Sequence, residues 1–296
     1  MTIVHGGAGL MLVTLRSSPK RAGLTENAER PFKSSGMAMR SVVFSSPGGE
    51  ALHADVYLPE SAAPVPVVIA VHGGGWKAGK RESYRHLGQL LTGRGYAVFT
   101  IDYRLVNKEK NRYPAAVDDV RAAVRYVREH AAELNVDPER VVLMGDSAGG
   151  HLVALVGLTE RPAVKAVVGI FGVYDLAAQW NHDLSSRPTD NIAQVFLGPS
   201  LIDNRQLYFD ASPLSYVTTA NAGPAFLLTW GVHDDIVDPT QSEAFLLALK
   251  QAGFYVRTVI QDAPHFWAGD PLDEAGSHSA FFAARLLRFL DERFPR

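Results

Sequence analysis

The stretch VVLMGDSAGGH, residues 141–151, predicts much of the fold of this chain. The apolar run Val141–Met144 is typical of a buried strand, and the apolar residues of His151–Leu158 predict a helix. The pattern G-x-S-x-G, residues 145–149, stands between the two. A serine on a sharp strand-to-helix turn presents its hydroxyl above the sheet, at a helix start that favours negative charge. We therefore predict that Ser147 is a nucleophile and not only a helix-capping residue.

Similar apolar runs recur along the chain and alternate with helical stretches. The other runs that predict buried strands are Val67–Val71, Tyr96–Ile101, Val164–Ile170, Ala225–Trp230 and Tyr255–Ile260. Two further strands, Ser41–Phe44 and Leu52–Leu58, flank a turn at Ser46–Gly49. Helices are predicted at Tyr84–Leu91, Ala115–Leu134, Gln241–Lys250 and Ser279–Arg293. This alternation predicts an α/β fold with a mostly parallel eight-stranded sheet, helices on both faces and an antiparallel hairpin at its start.

The chain divides into an N-terminal arm and one large domain. Residues 1–38 show no regular period and are interpreted as an arm, and residues 39–296 as the domain. Within the domain, about residues 175–222 carry scattered aromatic side chains and no strand pattern. A loop region of this length in a compact domain is usually functional, so we interpret it as a small cap insertion.

Composition excludes several classes of protein and site. The 296 residues are 47% hydrophobic and 20% charged, which fits a folded domain with a sizeable core. The net charge of −2 provides no electrostatic basis for binding nucleic acid or an anionic membrane. The absence of cysteine excludes disulfides, thiol nucleophiles and cysteine-ligated metals.

No apolar run is long enough for a transmembrane helix, so we expect no contact with a membrane. The apolar stretch Ile3–Leu15 has no basic residue before it and is interrupted by His5 and glycines, unlike a secretory signal. We therefore expect a cytoplasmic protein. The sequence does not determine whether the protein is a monomer or a homo-oligomer.

A glycine-rich loop, His72–Trp76, follows the predicted strand Val67–Val71. Its backbone N–H groups, together with that of Ala148, are suited to stabilise the oxyanion of a tetrahedral intermediate. The pattern G-x-x-x-x-G-K over residues 74–80 also resembles a phosphate-binding loop. That alternative lacks the Ser or Thr that binds magnesium, because Arg81 occupies the position.

Activation of a serine hydroxyl needs a histidine that takes its proton and a carboxylate that holds this histidine. In folds built on this serine turn, the chain order is serine, acid, histidine. Asp234 and Asp235 both follow the strand Ala225–Trp230. His265 follows the strand Tyr255–Ile260. His265 is therefore the predicted base, and either aspartate fits as the acid.

These motifs together resemble one branch of the α/β-hydrolases. That branch includes hormone-sensitive-lipase-like carboxylesterases, bacterial feruloyl-esterase-like proteins and kynurenine formamidases. The matching segments, which cover about residues 40–295, are HGGGW (72–76), DYRL (102–105), YPA (113–115), GDSAGGH (145–151), G-x-x-D-x-x-V (231–237) and PHF (264–266). The resemblance implies the α/β-hydrolase fold, ester cleavage through an acyl-serine intermediate, no metal and no cofactor.

The resemblance also implies roles for individual residues. The family's acid follows its glycine by three positions, which favours Asp234 over Asp235. In the family a proline usually stands next to this valine, whereas here Asp238 separates Val237 from Pro239. The choice between the two aspartates therefore stays open at this stage. The implied oxyanion donors are the N–H groups of Gly74, Gly75 and Ala148.

Three functions compete on this sequence. The first is hydrolysis of a small-molecule carboxylic ester by a serine–histidine–aspartate triad. The second is cleavage of an aryl formamide, because kynurenine formamidases share the His-Gly-Gly-x-Trp loop. The third is non-catalytic ligand binding, as in plant hormone receptors on this fold. Such receptors tend to lose a triad member, whereas this chain has a candidate for each.

Bulky aromatic rings are the predicted walls of the substrate pocket. The candidates lie in the glycine loop, in the cap segment and after the base, and are Trp76, Trp180, Phe196, Phe266 and Trp267. Rings at these positions shorten an acyl pocket, whereas the glycines opposite leave room for a wide alcohol group. We therefore expect a preference for short or medium acyl chains.

Overall fold

The computed structural model describes residues 37–160, 163–269 and 271–295. Eight strands are present among these residues, as the sequence predicts. They are β1 (Met37–Ser45), β2 (Leu52–Pro59), β3 (Val65–Val71), β4 (Ala97–Ile101), β5 (Val136–Asp146), β6 (Ala166–Ile170), β7 (Ala225–Gly231) and β8 (Val256–Gln261). They form one sheet in the order β1-β2-β4-β3-β5-β6-β7-β8. The pairs β1–β2 and β2–β4 are antiparallel, and the other pairs are parallel.

The described residues also form nine α-helices and five short 3₁₀ turns. The helices are α1 (Arg85–Thr92), α2 (Ala115–Glu129), α3 (Ala131–Leu134), α4 (Ala148–Thr159), α5 (Leu176–Ser186), α6 (Ile192–Leu197), α7 (Arg205–Ala211), α8 (Thr240–Gln251) and α9 (His278–Arg293). The 3₁₀ turns are Pro47–Gly49, Arg81–Tyr84, Pro213–Tyr216, Thr219–Asn221 and His265–Gly269. In the described part of the chain, no helix combines the length and the apolar character needed to cross a membrane.

The core follows from strands that are apolar on both faces. Strands β4, β6 and β7 are buried over their whole length, and β3 is buried except at its first residue. The crossover from β3 to β4 through α1 and the one from β5 to β6 through α4 run in opposite directions along the sheet. Because such crossovers are right-handed as a rule, the two helices lie on opposite faces. Helices therefore cover both faces of the sheet, which explains why these strands do not alternate in polarity.

Parallel strands bring their carboxyl ends to one edge of the sheet. Val71 at the end of β3 pairs with Gly145 of β5, and Gly145 also pairs with Gly169 of β6. Strands β7 and β8 continue the same parallel arrangement. The segments that follow β3, β5, β7 and β8 therefore meet at this edge, where ligands bind in open α/β sheets.

Several predicted boundaries differ from the structure: β1 begins at Met37 and not at Ser41, and α4 begins at Ala148 and not at His151. Two other differences have clear local reasons. The helix predicted over Ala115–Leu134 is interrupted at His130, which has non-helical torsions and whose ring stacks on Tyr126. Strand β5 begins at Val136 and not at Val141, because Val136 pairs with Val65 ahead of an irregularity in the register. Asp137 and Pro138 form a pair that is typical of a turn, but in the structure both lie within β5.

The segment between β6 and β7 is more regular than the loop region that the sequence predicts. It contains α5, α6 and α7, and each begins at an Asp or Asn side chain that accepts backbone N–H bonds: Asp175, Asn191 and Asn204. We call residues 175–222 the insertion, and its role as a cap stays a prediction. The predicted arm, residues 1–38, lies almost wholly outside the described residues.

Candidate active site

Ser147 occupies the turn between β5 and α4 in a strained backbone conformation, with φ of 51° and ψ of −118°. The turn is held by the Ser147 N–H, which donates to the carbonyl oxygen of Ile170 at 2.8 Å. Glycine is required behind the serine, because a Cβ on Gly149 would overlap the carbonyl oxygen of Val71. The sheet and the helix thus approach closely enough to project Ser147 at the carboxyl edge.

The structure brings Ser147, His265 and Asp234 into one series of contacts. The Ser147 Oγ lies 3.1 Å from His265 Nε2, and His265 Nδ1 lies 2.7 Å from Asp234 Oδ2. With the carboxylate as acceptor, Nδ1 carries the proton and Nε2 is free to accept the serine hydroxyl. All three residues are buried, at 7%, 2% and 6% exposure.

The choice between the two aspartates follows from the turn after β7, which we call the acid turn (residues 234–237). Asp234 Oδ1 accepts the N–H groups of Ile236 at 3.0 Å and Val237 at 2.9 Å, which leaves Oδ2 facing His265. The side chain of Asp235 is exposed. Asp234 is therefore the aspartate in contact with His265.

Comparison with known proteins identifies the family of this chain. The BD-FAE family model matches residues 54–249, which is more than half of the chain and runs from β2 to α8. This chain belongs to the BD-FAE family.

Curated relatives of this family member include mycobacterial proteins. Esterase LipQ of Mycobacterium tuberculosis is 32% identical over 232 residues, which are 73% of this chain and 54% of LipQ. Carboxylesterase NlhH of the same species is 41% identical over 98 residues, 33% of this chain and 30% of NlhH. The chain spans about half the length of the curated relatives that it matches over most of its own length.

Solved structures resemble this BD-FAE family member over most of its length. An esterase of Pyrobaculum calidifontis has a TM-score of 0.71 at 23% identity and covers 86% of this chain and 85% of its own. Thermogutta terrifontis esterase 2 has a TM-score of 0.73 at 24% identity and covers 87% and 96%. At these identities the likeness establishes the fold, which confirms the expected α/β-hydrolase architecture.

The glycine loop presents backbone N–H groups beside Ser147. Gly74 and Gly75 have φ of 109° and 58°, a left-handed region that glycine adopts readily. Within the described residues, the N–H groups of Gly74, Gly75 and Ala148 have no acceptor. These three unpaired donors are the N–H groups for which the sequence predicts a role with an oxyanion.

A half-buried carboxylate that the sequence analysis did not single out connects the loop to the serine turn. Asp146 Oδ1 accepts the Gly73 N–H at 3.0 Å and the Tyr84 hydroxyl at 2.8 Å. Burial raises the pKa of Asp146, although both donors and nearby His72 favour the charged form. The sequence signal that could have identified Asp146 is its charge, because the residues on either side of it in the turn are small or apolar.

A second buried contact joins the loop to α4 and to the insertion. Trp76 Nε1 donates to His151 Nδ1 at 3.2 Å, and His151 Nε2 donates to the carbonyl oxygen of Ala211 at 2.8 Å. Burial lowers the pKa of His151 to about 4, so its ring is neutral at pH 7 and fits both contacts. The ring of Trp76 also stacks on Phe196, with centroids 4.4 Å apart.

The predicted pocket residues occupy different environments. Trp76, Phe196 and Trp267 are buried; Trp76 stacks on Phe196, and Trp267 packs against Phe171 and Phe282. Phe266 is 76% exposed, with its ring centroid 5.0 Å from that of His265. A direct role of any of the five in substrate binding stays a prediction.

Trp180 lines a separate cleft in the insertion. The cleft has a volume of about 730 Å³ and lies along α5 and α7, with Ile202 and Phe209 on its walls. Neither Ser147 nor His265 lines it. Among residues 37–160, 163–269 and 271–295, no group of three or more His, Asp or Glu side chains is arranged to hold a metal ion.

The neutral, buried His151 predicts a pH-dependent stability. Between pH 6.5 and about 4 the unfolded chain binds a proton at this residue and the folded protein does not, so stability is lost as pH falls through this window. We expect the free energy of unfolding to fall by up to about 3 kcal/mol from this group. Urea unfolding of the wild type and of His151→Gln at several pH values measures the difference. Parallel curves for the two proteins would contradict the prediction.

Proposed function

We propose that this chain is a serine hydrolase that cleaves carboxylic esters through an acyl-serine intermediate. The observation that carries the proposal is the series of contacts from Asp234 through His265 to Ser147, beside three unpaired N–H groups. A base within hydrogen-bond distance of the nucleophile, itself oriented by a third group, is the arrangement that nucleophilic catalysis requires. The names of the curated relatives, esterases and a carboxylesterase, support esters over aryl formamides as the substrate class.

In the proposed reaction, Ser147 Oγ attacks the ester carbonyl while His265 Nε2 takes the hydroxyl proton. The carbonyl oxygen becomes an oxyanion, which the N–H groups of Gly74, Gly75 and Ala148 stabilise. Collapse of the tetrahedral intermediate breaks the bond to the alcohol oxygen, and His265 returns the proton to the leaving alcohol.

Deacylation repeats the same steps with water in place of the serine. His265 takes a proton from water, the resulting hydroxide attacks the acyl group, and the proton returns to Ser147 Oγ as the acid product leaves. Asp234 stabilises the imidazolium that forms twice in each cycle and keeps Nδ1 protonated throughout. No other reactant is needed.

The first prediction tests the nucleophile. Ser147→Ala lowers kcat for ester hydrolysis on the order of 10⁴- to 10⁶-fold and leaves only the contribution of binding and oxyanion stabilisation. It also abolishes labelling by a fluorophosphonate probe, which is followed by intact mass. Wild-type protein that neither hydrolyses esters nor accepts the probe would favour the non-catalytic alternative. Turnover of aryl formamides above that of matched esters would favour the amidase.

The second prediction separates the adjacent aspartates. Asp234→Asn is expected to lower kcat roughly 10⁴-fold, because an amide cannot hold the imidazole with its proton on Nδ1. Asp235→Asn is the matched control and is expected to change kcat less than about twofold, because its side chain is exposed. Steady-state rates on one soluble ester compare the two variants. The reverse order of effects would assign the acid to Asp235.

The third prediction concerns the acyl chain, for which we propose short or medium length. The rings of Phe171 and Phe266 contact the ring of the base. The large exposed apolar side chains of the insertion, Leu184, Ile202 and Phe209, lie on α5, in the turn after α6 and on α7, unlike the continuous apolar face of one interfacial helix. Each methylene that fits the acyl pocket is expected to lower the activation free energy that kcat/KM reports by at most about 0.8 kcal/mol. We expect a maximum and then a steep fall across p-nitrophenyl esters of two to sixteen carbons. A continued rise to the longest chain, or activation by emulsified substrate, would contradict it.

A further inference from the structure

A polar cluster on α5 and on the residue that follows this helix contacts none of the reacting groups of the proposed mechanism directly. Asp183 is fully buried, and its Oδ1 accepts from Arg187 Nε at 2.9 Å and from Arg187 Nη2 at 2.8 Å. The Nε2 of the equally buried Gln179 donates to the same oxygen at 2.8 Å. We call Gln179, Asp183 and Arg187 the α5 cluster.

The α5 cluster extends beyond its own helix to the acid turn. Arg187 Nη2 donates to the carbonyl oxygen of Ile236 at 2.6 Å, and Gln179 Nε2 donates to the same oxygen at 3.0 Å. His182 on the same helix adds a contact, because its Nε2 lies 3.0 Å from the carbonyl oxygen of Asp235. Two side chains of α5 and that of Arg187, the residue directly after α5, therefore hold two consecutive carbonyl groups of the acid turn.

The peptide groups held in this way are the ones that position Asp234. The Ile236 carbonyl shares a rigid peptide plane with the Val237 N–H, which donates to Asp234 Oδ1 at 2.9 Å. The Asp235 carbonyl, which His182 contacts, shares its plane with the Ile236 N–H, which donates to the same oxygen at 3.0 Å. Holding these carbonyls therefore directs both N–H groups at Oδ1, which leaves Oδ2 facing His265.

Stability alone does not account for this arrangement. A buried ion pair contributes little net stability, because both charges lose their hydration. Asp183 and Arg187, at positions i and i+4, form their ion pair without any contribution from the acid turn. The additional hydrogen bonds to Ile236 place a positive charge and an amide on a single carbonyl next to the triad acid, which restricts that peptide to one orientation.

We propose that Arg187 and Gln179 are positioning residues that act on catalysis through Ile236 and Asp234. The inference rests on the proposed function, since it assigns Asp234 as the acid that orients His265. A residue that acts only through Asp234 has no effect on the reactivity of Ser147 once Asp234 is replaced by a residue that cannot orient His265. A residue that only stabilises the fold keeps its effect in either background.

The test is a double-mutant cycle on the modification of Ser147. Arg187→Lys keeps the charge but cannot hold Asp183 and Ile236 with one planar fork. We expect it to slow fluorophosphonate labelling of Ser147 on the order of 10- to 100-fold in the wild-type background. In the Asp234→Asn background we expect a change of less than about twofold. Labelling is followed by intact mass at high probe concentration, over hours for the slow variants.

Arg104→Lys is the matched control. Arg104 pairs with Asp119 at 2.7 Å, with side-chain exposures of 20% and 2%, close to the 19% and 0% of Arg187 and Asp183. It has no contact with the acid turn among the described residues. We expect a comparable loss of stability in urea unfolding and a labelling rate within about twofold of the wild type.

A second variant covers the case in which Arg187→Lys does not fold. Gln179→Met removes one of the two donors to Ile236 and leaves the ion pair intact, and the Gln179 Oε1 that it deletes is buried without a partner. We expect the same loss of effect in the Asp234→Asn background. Equal fold-changes in both backgrounds would overturn the inference. Because the probe reports the serine whatever its substrate, failure of ester hydrolysis alone would overturn only the proposed substrate class.

Discussion

The close approach of β3 and α4 is the constraint on which the site depends. A Cβ at Gly149 would collide with the carbonyl oxygen of Val71, and one at Gly145 would lie 2.5 Å from the backbone of Gly149. Strand and helix therefore touch backbone to backbone, with no side chain between them. This contact places the Ser147 turn directly over the end of β3, where the glycine loop begins. The glycine loop is consequently tied to the residue before Ser147, because the Gly73 N–H donates to Asp146.

The insertion supports the site at three separate points. Its α6 packs Phe196 against the indole of Trp76 in the glycine loop, and Ala211 at the end of α7 accepts from His151 on the helix that follows Ser147. Its α5 contacts the acid turn. A segment with these contacts is part of the framework of the site. The role of the insertion as a cap, which the sequence predicts, stays a prediction.

Sequence reasoning located the strands and the triad candidates because both depend on local patterns. Buried strands are apolar throughout, and the chain order of serine, acid and histidine narrowed the search to the strand ends. The choice between Asp234 and Asp235 required the structure, since adjacent residues in a turn differ mainly in direction. The short helices of the insertion span too few residues for a clear period, and the sequence analysis did not identify their caps, Asp175, Asn191 and Asn204. The contacts of Asp146 with Tyr84, and of Arg187 with Ile236, join distant parts of the chain and leave no pattern in the sequence.

The burial of the indole rings has an optical consequence. All four tryptophans lie in the described part of the chain and are nearly inaccessible to water: Trp76, Trp180, Trp230 and Trp267. Fluorescence from the native protein therefore comes from indoles in apolar surroundings, at shorter wavelengths than from the solvated chain. Trp76 is hydrogen-bonded to His151, and a protonated imidazole quenches a neighbouring indole. Because burial lowers the pKa of His151 to about 4, this quenching of Trp76 is expected only as the pH falls toward that value.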